Sequence, residues 1–410
     1  MLPPAPASGL VTRPVLLIFI IGSLSAFGPL SLDMYLPAFP DMADDLETSA
    51  SRIQLTLTAC MIGLAVGQAF AGPLSDVLGR RIPLIFGLLA FALLSILCMI
   101  APTVEILVVL RLLQGLAGAA GIVLARAVVR DLYSGSALAQ FFSLVMMVNG
   151  MAPILSPVIG GQLLHFTTWH GVFLVLALFS LVLLLAVLLF LPETLPAERR
   201  QTGGVRPMLS AFRVLLTDRL FMGYGLAAGL AFGAMFAYIA GSSFVIQNIY
   251  DVSPQAYSLM FGANALGIVI MAQINARLVR SSGPRRMLMV GLTGSAIGGV
   301  SLLAVVLIDA GLIGILAALF VVVSSIGFIA PNTAALAMAN YPDSAGSASA
   351  LLGLLQFGIG GLVAPLAGVA GDDTALPMAL LIACLGVGAL VVSRLLARES
   401  EPATAVQDDW

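Results

Sequence analysis

Long apolar runs recur along almost the whole chain, separated by short charged or Pro/Gly-rich breaks. They fall at 15–38, 53–74, 82–101, 104–126, 137–164, 169–191, 219–247, 255–277, 286–308, 312–339, 346–371 and 375–396. A helix needs about 20 apolar residues to cross hydrocarbon, and these runs have that length. Lipid offers no partner for backbone N–H and C=O groups, so each run is predicted to be helical. The pattern therefore predicts an all-α integral membrane protein of twelve spans. One long polar connection, 192–218, carries Pro192, Glu193, Glu198, Arg199, Arg200, Gly203, Gly204 and Arg206 and divides six spans from six. The expected organisation is an N-terminal segment 1–14, a six-helix bundle 15–191, a linker 192–218, a second bundle 219–396 and a tail 397–410. The apolar start is expected to be kept as a first span rather than removed as a leader. Gly79-Arg80-Arg81 between spans 2 and 3 is matched by Pro284-Arg285-Arg286 between spans 8 and 9, an offset of 205 residues. Two parallel halves imply a pseudo-two-fold axis along the membrane normal and a substrate site between them near midplane.

Composition narrows this further. Of 410 residues, 60% are hydrophobic and 9% charged, against roughly 25% charged in a soluble domain. All 18 basic residues are arginine and the formal net charge is −2, so a strongly basic surface is absent and no nucleic-acid partner is expected. Sixteen arginines (13, 80, 81, 126, 130, 199, 200, 206, 213, 219, 277, 280, 285, 286, 394 and 398) fall on one side of the predicted spans, and Arg52 alone on the other. Positively charged loops stay cytoplasmic, so both termini are expected on the cytoplasmic side of the inner membrane. Cys60, Cys98 and Cys384 lie in apolar runs without metal-ligand spacing and read as small hydrophobes. His165 and His170 flank a turn with no cysteine or carboxylate beside them. No metal, cofactor or catalytic constellation is expected, and the chain does not read as an enzyme.

Two charges lie within predicted spans, Asp33 in the outer part of span 1 and Arg111 in span 4. A charge facing lipid costs a few kcal/mol, so both should face the bundle interior. They could form a buried pair that only fixes packing, or Asp33 could take up and release a proton. Pro37 follows Asp33 by four and cannot donate to its carbonyl, which predicts a bend beside the carboxyl group. An Arg111 that approaches in one conformation and withdraws in another would make the proton affinity of Asp33 alternate with conformation. Gln114 and Gly115 share the helical face of Arg111, and Gly118 and Gly121 permit close helix approach. Span 5 reads Asn149-Gly150-Met151-Ala152-Pro153, then Pro157 and Gly160-Gly161, a predicted weak point in a long helix. Gly72 through Arg81, with Asp76, Gly79 and Arg80, reads as a tight loop. Asp131 could pair with its arginines and latch one conformation.

Gly72–Arg81 resembles the loop signature of the major facilitator superfamily. Arg111-x-x-Gln114-Gly115 resembles its span-4 motif, and Gly150-x-x-Pro153-x-x-x-Pro157-x-x-Gly160-Gly161 resembles the antiporter motif of its drug exporters. Leu32–Pro37 and Gly346–Leu351 look like the Bcr/CflA drug-resistance branch. The resemblance implies a proton-coupled antiporter that exports small, largely apolar drugs by alternating access, with Asp33 as proton carrier and Arg111 modulating it. It is expected to work as a monomer in the lipid bilayer. Some relatives carry a second acid in span 1; Gly22–Ala26 here has none, so one proton per cycle is expected. Candidate substrate contacts are Tyr35, Gln114, Met146, Met147, Asn149, Phe232, Phe236, Tyr238, Asn264, Asn332 and Gln356. Tyr238 is favoured because it lies 205 residues after Asp33, its counterpart in a duplication. For any of the buried amides the alternative is an interhelical hydrogen bond. The rival functions are proton-coupled nutrient uptake and a non-transport membrane receptor or enzyme.

Overall fold

The computed structural model describes residues 14–133, 151–200, 206–341, 345–369, 371 and 374–397. Its helices are α1 (Pro14–Ser25), α2 (Phe27–Asp33), α3 (Phe39–Asp45), α4 (Ala50–Leu78), α5 (Arg81–Met99), α6 (Val104–Leu132) and α7 (Met151–Leu163). Then follow α8 (Trp169–Phe190), α9 (Arg206–Thr217), α10 (Arg219–Phe244), α11 (Pro254–Ser282), α12 (Pro284–Leu307), α13 (Gly311–Met338), α14 (Ala345–Val363) and α15 (Leu376–Leu396). Among the described residues ten helices are long and apolar enough to cross a membrane, and the bent α1–α3 segment makes an eleventh. The expected fifth span is represented by α7 from Met151 onwards. Large apolar side chains such as Phe86, Val182, Leu189 and Leu362 stand exposed on the outside, as a surface wetted by lipid requires.

In the first half α4 packs on α6, while α5 packs on both α6 and α8. In the second, α12 packs on α13 and α15, and α11 on α13. The tight contacts are glycine against backbone. A methyl group on Gly63 would stand 2.9 Å from the Leu116 nitrogen, and one on Gly115 would stand 3.0 Å from the Cys60 carbonyl carbon, so α4 and α6 touch main chain to main chain. Gly327 of α13 meets Ala272 of α11 in the same manner, at 2.7 Å. The second and fourth spans of each half thus meet alike.

Three elements differ from the sequence pattern. The expected loop Gly72–Arg81 is mostly helix: α4 continues through Pro73 to Leu78, and only Gly79, at φ 90°, and Arg80 make the turn. The helix extends past the apolar run because its last turns leave the hydrocarbon, where Asp76 and Arg80 pair at i,i+4 (2.6 Å). Span 1 breaks twice. It bends by 43° at Ala26, four residues before Leu30 and three before Pro29, whose ring cannot donate to the Ser25 carbonyl. The second break, after Asp33, is the one Pro37 predicts: a short 3-10 turn Leu36–Ala38 precedes α3. The linker also holds a helix, α9, which packs on α10 and α14.

The contacts that join the two halves gather at the arginine-poor end of the spans. Ser51 donates to the Pro365 carbonyl (2.9 Å), Gln54 to Ala240 (3.1 Å) and Thr58 to Gly361 (2.8 Å). From the second half Ser243 donates to Leu36 (2.6 Å), Gln247 to Pro37 (3.2 Å) and Gln255 to Gly161 (3.1 Å). In each of these six bonds the donor is a neutral side chain and the acceptor a backbone carbonyl.

Candidate functional site

A cavity of about 250 Å³ lies between the halves, walled by α1, α2, α4, α6 and α7 on one side and α10, α11, α13 and α14 on the other. Its lining is mostly apolar, with Met235, Phe236, Phe261 and Phe357 among its walls. Five polar side chains reach it: Ser25, Asp33, Gln68, Arg126 and Tyr238. Asp33 is the last residue of α2 and only 7% exposed. Among the described residues no side chain pairs with its carboxyl group. Tyr238 stacks on Phe261 (5.3 Å between centroids) and accepts a hydrogen bond from Asn264 Nδ2 (3.0 Å). Its own hydroxyl proton is left to point elsewhere.

Arg111 is fully buried on the other side of the same broken helix. It donates to the Ser31 carbonyl (2.5 Å) and to Gln114 Oε1 (2.6 Å), and its guanidinium lies 4.4 Å from the Tyr35 ring centre and 5.6 Å from that of Phe173. Ser31 belongs to the last turn of α2, whose carbonyls have no helical donor, so Arg111 caps the break. Gln114 in turn donates to Ser95 (2.7 Å). Ser31 and Tyr35 stand four residues apart and turn towards Arg111, while Asp33 between them turns to the cavity. The expected approach of Asp33 and Arg111 is therefore not an ion pair in this conformation; they stand back to back.

The other predicted contacts divide. Phe236 and Tyr238 line the cavity, and Asn264 buttresses Tyr238. Tyr35 does not line it: its hydroxyl meets Thr56 Oγ1 (3.1 Å) inside the first half. Gln114 is likewise enclosed there. Asn332 bonds to Asn275 Oδ1 (2.6 Å) across α11 and α13, away from the cavity. Gln356 and Phe232 are half-buried outside its lining, although Phe357 beside Gln356 is part of it. Met146, Met147, Asn149 and Gly150 lie outside the described residues. Pro153 reaches the cavity wall. Pro157 lies within α7. Further along that helix Gly160 abuts the Met34 backbone beside Asp33, and Gly161 abuts Ser258 and Pro254 of the second half.

Three polar groups were not singled out from the sequence. Gln68 is an isolated amide in an apolar run. Arg126 was counted with the arginine-rich loops but lies inside α6, on the stripe of Ile122, which also lines the cavity. Glu193 organises the turn at the arginine-rich end: the backbone N–H groups of Arg80 (2.8 Å), Arg81 (3.2 Å) and Leu195 (3.0 Å) donate to its carboxylate, and Arg200 lies 4.0 Å away. Burial works to raise its pKa, but these donors and Arg200 outweigh it and hold the carboxyl below its usual range. The Arg80 side chain pairs with Asp131 (2.9 Å) and with Asp76, and Gly72 accepts from Ser75 (2.7 Å). Arg81 reaches the Leu188 carbonyl (2.7 Å). This cluster joins four helices of one half.

The model of the Major Facilitator Superfamily matches residues 17–365. The chain belongs to that superfamily. It is 43% identical over 364 residues to the MFS-type transporter YdgK of Bacillus subtilis (strain 168), covering 88% of this chain and 90% of that one. It is 32% identical over 380 residues to a bicyclomycin resistance protein homolog of Haemophilus influenzae, covering 93% and 94%. These relatives place it with the Bcr/CflA-type drug-resistance members of the superfamily, as its motifs suggested. The fold matches that of the nucleoside transporter NupG with a TM-score of 0.76 at 14% identity, over 93% of this chain and 99% of that one. The superfamily member is a multi-pass membrane transporter and not an enzyme.

Proposed function

We propose that this chain is a proton-coupled antiporter that exports small, largely apolar drugs across the cytoplasmic membrane. The observation that carries the reading is a buried acid at a helix break, unpaired among the described residues, on the wall of an aromatic cavity between two halves. A carboxyl group so placed holds a proton or meets a substrate, and the two compete. The similarity to a bicyclomycin resistance protein homolog supports drugs as the cargo. With the arginine-rich face and both termini in the cytoplasm, the seam closes the outer side and the Arg126 end of the cavity looks inward. Bundles 15–191 and 219–396 then rock about the seam, and Asp33 carries one proton per cycle. Arg111 keeps the broken helix capped and presents Asp33 to the cavity. Cavity and seam both lie within one chain, which suits a monomer. One charge crossing 100 mV carries about 2.3 kcal/mol, which at 1.4 kcal/mol per tenfold sustains roughly a forty-fold gradient of a neutral drug.

The test is drug-driven proton release from proteoliposomes. Asp33→Asn is expected to abolish release while the protein still inserts and keeps its melting temperature. Undiminished release from the variant overturns the assignment.

A further inference from the structure

The cavity holds a second charge that proton coupling does not use. Arg126 lies inside α6, exposed at the cavity wall, and among the described residues no carboxylate or carbonyl pairs with it. It is the last residue of the apolar run 104–126, and what sets it apart from the arginines beyond it is that it lines the cavity. Arg126 shares its helical stripe with Ile122, which packs against Gly28 of α2 and lines the same cavity. Its guanidinium is therefore directed by the helix towards the space between the halves.

The position relative to Asp33 follows from helix geometry. Gly28 and Ile122 stand level, since a methyl group on Gly28 would lie 3.2 Å from the Ile122 Cδ1. Asp33 lies five residues from that level towards the arginine-poor end, about 7 Å along the axis. Arg126 lies four residues from it in the other direction, about 6 Å. The acid and the base thus occupy opposite ends of one cavity, too far apart to neutralise each other directly. Between them the walls are apolar, including Phe236 and Phe357, with the Gln68 amide on the way.

We propose that Arg126 is an anion-recognising subsite, and that the cavity is built for amphipathic zwitterions whose amine meets Asp33 and whose carboxylate meets Arg126. This rests on the exporter reading above. The aromatic walls take the body of such a molecule. The amine competes with the proton for Asp33, while the carboxylate completes the fork of a guanidinium left open among the described residues. A neutral or purely cationic drug leaves that fork unfilled and binds less well.

The experiment uses the purified full chain and two probes, an arylpiperazine carboxylic acid, zwitterionic at pH 7, and its methyl ester, a cation. Calorimetric titration gives the acid-over-ester affinity ratio. The wild type is expected to prefer the acid by roughly 10- to 100-fold, the worth of a charge-assisted hydrogen bond. Arg126→Gln is expected to bring the ratio close to one, and Arg126→Lys to retain part of it. An unchanged ratio in Arg126→Gln overturns the subsite, as does a wild type that binds the two probes alike or binds neither. Should Arg126→Gln bind neither probe, Arg126→Lys decides: a ratio equal to wild type then overturns the subsite, and a reduced one supports it. Ester-driven proton release in proteoliposomes separates this from the exporter reading. Release that persists beside an unmoved ratio removes only the subsite, whereas no release from wild type with either probe removes the exporter.

Discussion

Gly161→Ala should open the seam. Gly161 of α7 faces α11 of the other half. A methyl group there would stand 2.9 Å from Ser258 Cβ and 3.0 Å from the Pro254 carbonyl oxygen, and would collide with Ser258 Oγ. Ordinary carbon contacts lie at about 3.5–4.0 Å, so the new methyl needs the helices to part by several tenths of an ångström. Ser258 cannot swing clear easily, because its hydroxyl already donates to Pro254 (2.6 Å), and Gln255 donates to the Gly161 carbonyl from the same turn. Overpacking of this sort costs about 1–3 kcal/mol. The cost falls on the conformer with the seam closed and not on one in which the halves have separated. At 1.4 kcal/mol per tenfold, the open form should gain roughly 5- to 150-fold. The assay is labelling by a membrane-impermeant thiol reagent. Cys60 and Cys98 are buried, so Cys384→Ser gives a quiet background. Ala240→Cys then reports the seam, since Ala240 is fully buried and its carbonyl accepts Gln54. Labelling should accelerate by that factor in Gly161→Ala and fall back in part when Ser258→Ala is added. Equal rates with and without Gly161→Ala, in protein of unchanged melting temperature, would refute the reasoning.

Other outcomes follow from the charged clusters. Glu193→Gln should lower the melting temperature at pH 7, by the equivalent of about 1–2 kcal/mol, because a charged acceptor of three backbone N–H groups becomes neutral. The wild-type advantage over this variant should be complete above the ordinary carboxyl value of 4.5 and fade as pH falls through the lower folded value, since a depressed pKa stabilises the fold only while the group is ionised; an advantage that does not shrink in acid contradicts this. Tyr341 donates its hydroxyl to Asp218, the N-cap of α10, and this bond pushes the phenol up to about 12. The ultraviolet titration of the wild type minus that of Tyr341→Phe should isolate one phenol that ionises at about 12, with about 1 kcal/mol of stability that is present below pH 10 and lost as pH rises from 10 through 12. Arg111→Lys should destabilise the chain by about 1–3 kcal/mol in thermal melts, because an ammonium cannot serve Ser31 and Gln114 as a fork and stack on Tyr35 at once; an unaltered melt would show that capping the break matters little.

Lipid makes the spans easy to read, because it fixes both their length and their composition. What it does not fix is where a helix stops once outside the hydrocarbon. Hence α4 and α6 run past the apolar runs into polar turns, and Gly72–Arg81 turned out to be chiefly helix. Asp33 was recognisable because an acid in a span is too costly to be idle. The face of Tyr35 was not, since helical phase cannot be counted through a break such as the one after Asp33; Gln114 was placed on the face of Arg111, but nothing in the sequence showed that this face turns away from the cavity. Pro37 signalled that break, and Pro29 could have signalled the bend at Ala26 by the same rule. Arg126 was hidden by company: among sixteen arginines assigned to one side, nothing in a linear count separates a loop residue from one that faces a cavity. Its spacing of four from Ile122 becomes informative only once Ile122 is known to face α2. Glu193 reads as a break in an apolar run, and its three donors come from turns distant in sequence.

The contrast between the seam and the interiors of the halves explains how such a chain can switch without unfolding. Within each half, glycines set main chain against main chain, as at Gly63 and Gly115 or at Gly327, so any sliding there meets hard backbone contacts. Across the seam, six neutral donors meet backbone carbonyls, each bond worth about 1 kcal/mol net because water offers a comparable partner when it is broken. Exchanging these bonds for water costs little and leaves no unpaired charge behind. Arg80, by contrast, pairs with Asp76 and Asp131 inside one half, at the end away from the seam, and the exposed Arg52–Glu105 pair also stays within that half. A protein with ion pairs across its seam would hold one conformation tightly and resist the other. On the exporter reading proposed above, the balance between conformers is then within reach of a single event in the cavity, such as the loss of a proton from Asp33 or the arrival of a charged substrate.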